Sequence, residues 1–136
     1  MIAAKYCMSA KESRYSDDWF RKGDADLRSV SRLLEGEDID IAAFHLQQAI
    51  EKYLKGYLIG KGWKLRRVHE LEVLLNEAIQ FDKSLERFRE LCASATEYYL
   101  FERYPYDEAT SVTKEDLQKE VTLVKELHKA LVESKS

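Results

Sequence analysis

The chain predicts an all-α fold, an antiparallel up-and-down bundle of four to five helices, and three observations carry that expectation. Apolar residues recur at three-and-four spacing through five separate segments, the chain has a single proline and five glycines, and no run alternates with period two over a strand's length. At 136 residues it is long enough to close one hydrophobic core and too short for two, so one domain is expected.

Residues 1–15 read as an N-terminal tail that the sequence leaves open to disorder, and 16–134 as the bundle. Ser16-Asp17-Asp18 offers an N-cap and two carboxylates for the positive end of a helix, whose stripe then runs Trp19/Phe20, Gly23, Leu27, Val30, Leu34 and stops near Gly36. Asp38 or Asp40 can cap the second helix. Its apolar residues Ala42, Leu46, Ala49, Ile50, Tyr53, Leu54, Tyr57 and Leu58 cover more than one face, which makes it the most buried of the five. A polar strip of Gln47/Gln48, Glu51/Lys52 and Lys55 remains, with Glu51 and Lys55 spaced for an intrahelical pair of only ~0.2 to 0.5 kcal/mol.

Gly60 and Gly62 end that helix. A third, short helix is carried by Leu71, Leu74, Leu75, Ala78 and Ile79. A fourth follows Asp82 or Ser84, places Leu85, Phe88, Leu91/Cys92, Ala95 and Tyr98/Tyr99 on one face, and runs to about Arg103 before Pro105 stops it. The fifth opens on Thr113-Lys114-Glu115-Asp116, a capping box with Asp in place of Glu, and continues through Leu117, Val121, Val124, Leu127 and Leu131.

A formal net charge of −3 argues against a surface that tracks phosphates everywhere and leaves room for a local basic patch. Cys7 and Cys92 lack zinc-site spacing, and Cys92 on an apolar stripe reads as a small buried hydrophobe. Neither a signal-peptide core after Met1 nor a membrane-length apolar run is present, so a cytoplasmic, soluble protein is the expectation. His45, His69 and His128 have no partner ligands at metal spacing, no phosphate loop occurs, and no serine or cysteine stands in a nucleophile setting. No metal, no cofactor and no catalytic residue is therefore assigned.

Two constellations remain. One is cationic and aromatic: Lys52 and Lys55 on the second helix, then Lys61, Trp63, Lys64, Arg66, Arg67 and His69 in and after the connection. Its cations can meet phosphate oxygens and Trp63 can stack on a base, or the loop is simply a solvated one. His69 can instead cap or orient the third helix. The other is the aromatic run from Tyr98 to Tyr106 around Arg103, which fits core packing with Arg103 paired to a carboxylate such as Glu51, or an interface anchor. Gln48, Glu51, Arg103 and Tyr104 form the expected structural polar network.

The segment from Ala43 to Leu58, with its Gln47-Gln48-Ala49-Ile50-Glu51-Lys52 core, resembles the second-helix hallmark of the HEPN domain, the higher-eukaryote and prokaryote nucleotide-binding domain. Trp19 with Asp26-Leu27, His69-Glu70-Leu71 and Arg103-Tyr104-Pro105 resemble its other signatures in the same order. The resemblance implies a helical bundle, a prokaryotic setting, a homodimer, association with nucleotide or RNA, and a small nucleotidyltransferase partner in a toxin–antitoxin-like module. On that basis Lys52, Lys55, Lys64, Arg66, Arg67, His69 and Arg103 are candidates to bind phosphate or nucleotide. The alternatives are a metal-independent ribonuclease toxin and a dimeric scaffold that binds no nucleotide. Ribonuclease branches carry an Arg and a His with four to six residues between them; Arg66 precedes His69 by too little and Arg103 has no histidine before His128, so the sequence leans away from an enzyme.

Overall fold

A computed structural model describes residues 2–64, 66–100 and 112–135, with side chains from residue 16 to 134 within those stretches. Every regular element among them is helical: α1 (Ile2–Glu35), α2 (Ile39–Gly60), α3 (Leu71–Ile79), α4 (Arg89–Ala95) and α5 (Lys114–Lys135). Two 3-10 segments, Lys83–Phe88 and Thr96–Leu100, flank α4.

The first helix begins earlier than its expected cap. Residues 2–15 contain no glycine or proline and are rich in helix formers, so the helix continues through Ser16. Inside the helix, Ser16 turns its hydroxyl across to α2 and donates to the Gly56 carbonyl at 2.8 Å. At the other end, α1 stops where Gly36 predicts, but the left-handed residue is Glu37, with φ of 61°. Asp38 N–H bonds to Leu33 C=O and Glu37 N–H to Leu34 C=O, the paired closure of a Schellman turn. The same closure ends α2: Trp63 N–H reaches Leu58 C=O and Gly62 N–H reaches Ile59 C=O, with Gly62 at φ of 92°.

The fourth helix departs most from expectation. The segment after Asp82 is a short α-helix set between 3-10 turns, with Asp82 accepting from the Ser84 N–H and hydroxyl at its start. Thr96 donates its hydroxyl back to the Cys92 carbonyl at 2.8 Å and also accepts the Leu71 N–H at 3.2 Å, so it serves two helices at once. Thr96, and not His69, thereby supplies the side-chain partner at the start of α3. Arg103 and Pro105 lie outside the described residues. For α5 the capping box forms as spaced, with Asp116 N–H donating to Thr113 Oγ1 and Thr113 N–H to Asp116 Oδ2.

Helix α2 is the axis of the core. Ala42, Leu46, Ile50, Tyr53, Leu54, Tyr57 and Leu58 are buried along it, and it touches every other α-helix. Its turn back from α1 takes three residues, so the two form an antiparallel hairpin. They approach closely because each presents a glycine to an aromatic of the other: Gly23 lies under the Tyr53 ring and Gly56 under Phe20. Cys92 is buried and its thiol is pushed up to about 12, chiefly by that burial, which suits a packing residue and not a nucleophile.

Between the 3-10 turn and α5, Tyr98 donates to both oxygens of Glu120 at 3.1 and 3.3 Å. Burial of Glu120, with Asp116 adding to it against the Tyr98 hydrogen bond, pushes its carboxyl up to about 7.

The packing can be checked at both places. A Cβ at Gly23 would stand 2.6 Å from the Tyr53 ring, so Gly23→Ala should destabilise the protein by about 1 to 3 kcal/mol in urea unfolding. At Glu120, a raised carboxyl holds its proton in the folded state after the unfolded chain has lost it. Stability should therefore fall as pH rises from 4.5 through about 7, and Glu120→Gln should flatten that part of the profile.

Candidate functional site

The polar strip of α2 splits into two clusters on different sides of the helix. On one side the Glu51 carboxylate, 5% exposed, collects three donors: Lys55 Nζ at 2.8 Å, Gln47 Nε2 at 3.0 Å and His69 Nδ1 at 3.2 Å. Gln47 is fully buried, donates also to the His69 carbonyl at 3.3 Å, and accepts from Gln48 at 2.7 Å. Lys55 is 4% exposed, with its ammonium 5.7 Å from the centre of the Trp19 ring. Taking a carboxylate and an ammonium out of water costs several kcal/mol per ion, and only good geometry with the remaining lone pairs occupied offsets that cost. Both conditions are met here.

On the other side Asp26 of α1 receives Lys52 Nζ at 2.5 Å and His45 Nδ1 at 2.8 Å. Two residues earlier on α1, Asp24 accepts the Tyr53 hydroxyl at 2.6 Å, and burial together with that carboxylate drives the phenol far above its ordinary range. Sequence reasoning placed neither aspartate in a site. A signal was available, since Asp26 falls three residues after Gly23 and four before Val30, within the stripe that faces α2.

The connection between α2 and α3 behaves differently. Trp63 packs half-buried on the core with the Arg66 guanidinium 5.2 Å from its ring centre, and Arg66 also pairs with Glu77 of α3. Val68 N–H bonds to Arg66 C=O, which makes Arg67 the tip of a tight turn. Lys64 and Arg67 are exposed and have no carboxylate partner among the described residues. His69 follows with its side chain 56% exposed and its ring stacked on Tyr99, centroids 5.6 Å apart.

Of the residues that sequence reasoning nominated, the structure brings Gln48, Glu51, Lys55 and His69 into one network with Gln47. It separates Lys52 into the Asp26 cluster, turns Arg66 towards Trp63 and Glu77, and leaves Lys64 and Arg67 facing solvent. Arg103 and Tyr104 lie outside the described residues; the described partners of Glu51 are Lys55, Gln47 and His69. Among the described residues no group of three or more His, Cys, Asp or Glu is placed to hold a metal ion, and no helix is long and apolar enough to cross a membrane.

This is an all-α bundle with a buried polar network that ends at the surface in one histidine beside exposed cations. It belongs to the HEPN family: the HEPN domain matches residues 16–135. Membership gives it a nucleotide- or RNA-related function in general, in a family whose domains often dimerise. Among solved structures it is similar to TT1696 from Thermus thermophilus, at 25% identity and a TM-score of 0.73, over 89% of this chain and 98% of that one. No curated protein matches.

Removing Glu51 would strand a buried ammonium. Glu51→Ala should cost about 3 to 5 kcal/mol in urea unfolding, whereas the paired change Glu51→Leu with Lys55→Met should recover most of it.

Proposed function

We propose that this chain is a nucleotide- or RNA-associated binding subunit that works as a homodimer in the cytoplasm of a prokaryote, beside a small nucleotidyltransferase in a toxin–antitoxin-like module. In this reading the phosphate-facing residues are Lys64 and Arg67, with Arg66 and His69 beside them on the same connection; Arg103, outside the described residues, is a further candidate. Lys55 lies behind His69, held by Glu51, whereas Lys52 is held by Asp26 on another side of α2 and stands apart from this face.

One observation supports this reading most directly. Lys64 and Arg67 are exposed without a carboxylate partner among the described residues, on the same short connection as a histidine fixed from below. A cation already paired gains little from phosphate because it must first give up its carboxylate, while an unpaired one gains the charge-assisted bond outright. The lack of a ribonuclease Arg/His spacing fits binding without cleavage.

Affinity for a labelled RNA or nucleotide should fall about tenfold or more in the Lys64→Ala, Arg67→Ala double variant and become less salt-dependent. Binding that survives that change, or a tagged protein that brings down neither a nucleotidyltransferase nor nucleic acid from its native cell, would remove the assignment.

A further inference from the structure

We infer that His69 is the residue that reads the sugar: its Nε2 accepts a hydrogen bond from a ribose 2′-hydroxyl, so the site prefers ribo- over deoxyribonucleotide ligands. This rests on the proposed nucleotide- or RNA-associated reading and adds to it the ligand group that one residue recognises.

The position is built and not incidental. His69 lies outside any helix, yet buried groups clamp it twice: Glu51 holds its Nδ1 at 3.2 Å and Gln47 holds its carbonyl at 3.3 Å. Tyr99 lies stacked against the ring, with 23° between the planes. A surface histidine with both backbone and ring so fastened is preorganised for one direction of contact.

The chemistry of the clamp sets which contact that is. A carboxylate only accepts, so the ring nitrogen facing Glu51 carries the hydrogen. Lys55 already pairs with Glu51, at 2.8 Å. A ring with its single proton on Nδ1 offers a lone pair at Nε2, on the side away from Glu51. That atom repels a phosphate oxygen and attracts an O–H or N–H. Arg67 is exposed and two residues away in the sequence, and a ribose and its phosphate are likewise neighbouring groups of one ligand. The 2′-hydroxyl is also the group by which a protein tells RNA from DNA at one position.

The test uses the full chain at pH 8. Calorimetry with ATP and dATP, and fluorescence anisotropy with matched adenine oligoribonucleotides and oligodeoxyribonucleotides, compare the two sugars. The ribo form should bind about three- to tenfold tighter, the worth of one hydrogen bond. A preference in the oligonucleotide pair alone assigns the hydroxyl to RNA, one in the mononucleotide pair alone to a free nucleotide, and either supports the inference. His69→Asn keeps an N–H for Glu51 but has nothing at the Nε2 position, so it should bring the ratio to about one. Nitrogen-15 spectra of the free protein should show the His69 proton on Nδ1. Equal binding of both sugars by the wild type, a preference that survives His69→Asn, or a proton on Nε2 overturns the inference and leaves the nucleotide reading standing. Failure to bind any of the four ligands takes both down.

Discussion

Helix α2 runs through the middle of the bundle with nearly its whole circumference covered, yet it carries a glutamate and a lysine one turn apart on a buried side. Apolar side chains of the same volume would fill that space at lower cost, since buried ion pairs seldom stabilise more than a hydrophobic replacement. What an apolar filling could not do is hold an imidazole. Glu51 and Gln47 together fix the ring and the backbone of His69, and through it the start of α3. The polar network acts as a register pin between the central helix and the connection that follows it.

A second pin lies across the α1–α2 hairpin. Glycine at 23 and 56 lets the two backbones come close, and the resulting proximity brings Asp24 and Asp26 onto Tyr53, His45 and Lys52. Neither pin leaves a described buried side-chain polar atom unpaired. The bundle is held in two directions by charge and shape, while Leu46, Ile50, Leu54 and Leu58 are fully buried along the helix that meets α3, α4 and α5.

The described cations among the candidate residues consequently divide into two sets. Lys52, Lys55 and Arg66 are engaged by Asp26, Glu51 and Glu77 and organise the scaffold; Lys64 and Arg67 face water. A mildly acidic chain thereby places a small basic edge next to a histidine, without the broad positive field of a protein that coats nucleic acid. Such an edge suits a ligand met through one or two phosphates.

Much of this was legible in the residues. Periodicity located five helical segments, Gly36 and Gly60 to Gly62 marked two helix ends, and Thr113 with Asp116 announced a cap that forms as spaced. The order of the Gln-Gln-Ala-x-Glu-Lys, His-Glu-Leu and Arg-Tyr-Pro signatures was enough to place the family. These are local properties: capping, helix spacing and motif order depend on neighbours within a few positions. The helix start at Ser16 and the single long fourth helix were misread for the same reason. A serine before two aspartates looks like a cap whether or not the preceding residues are helical, and 3-10 turns share the apolar spacing of an α-helix over so short a run. The site, by contrast, required the fold. From the sequence, Glu51 and Lys55 are a surface pair worth about a few tenths of a kcal/mol; the packing of the other elements around α2 turns them into a buried hub. Asp26 becomes a ligand for Lys52 and His45 only because two glycines let α1 settle against α2. His69 is eighteen residues from Glu51, and no spacing rule joins them. Spacing along one chain dictates which faces a helix has, whereas the choice of which faces meet, and so which charges lose their water, belongs to the assembled bundle.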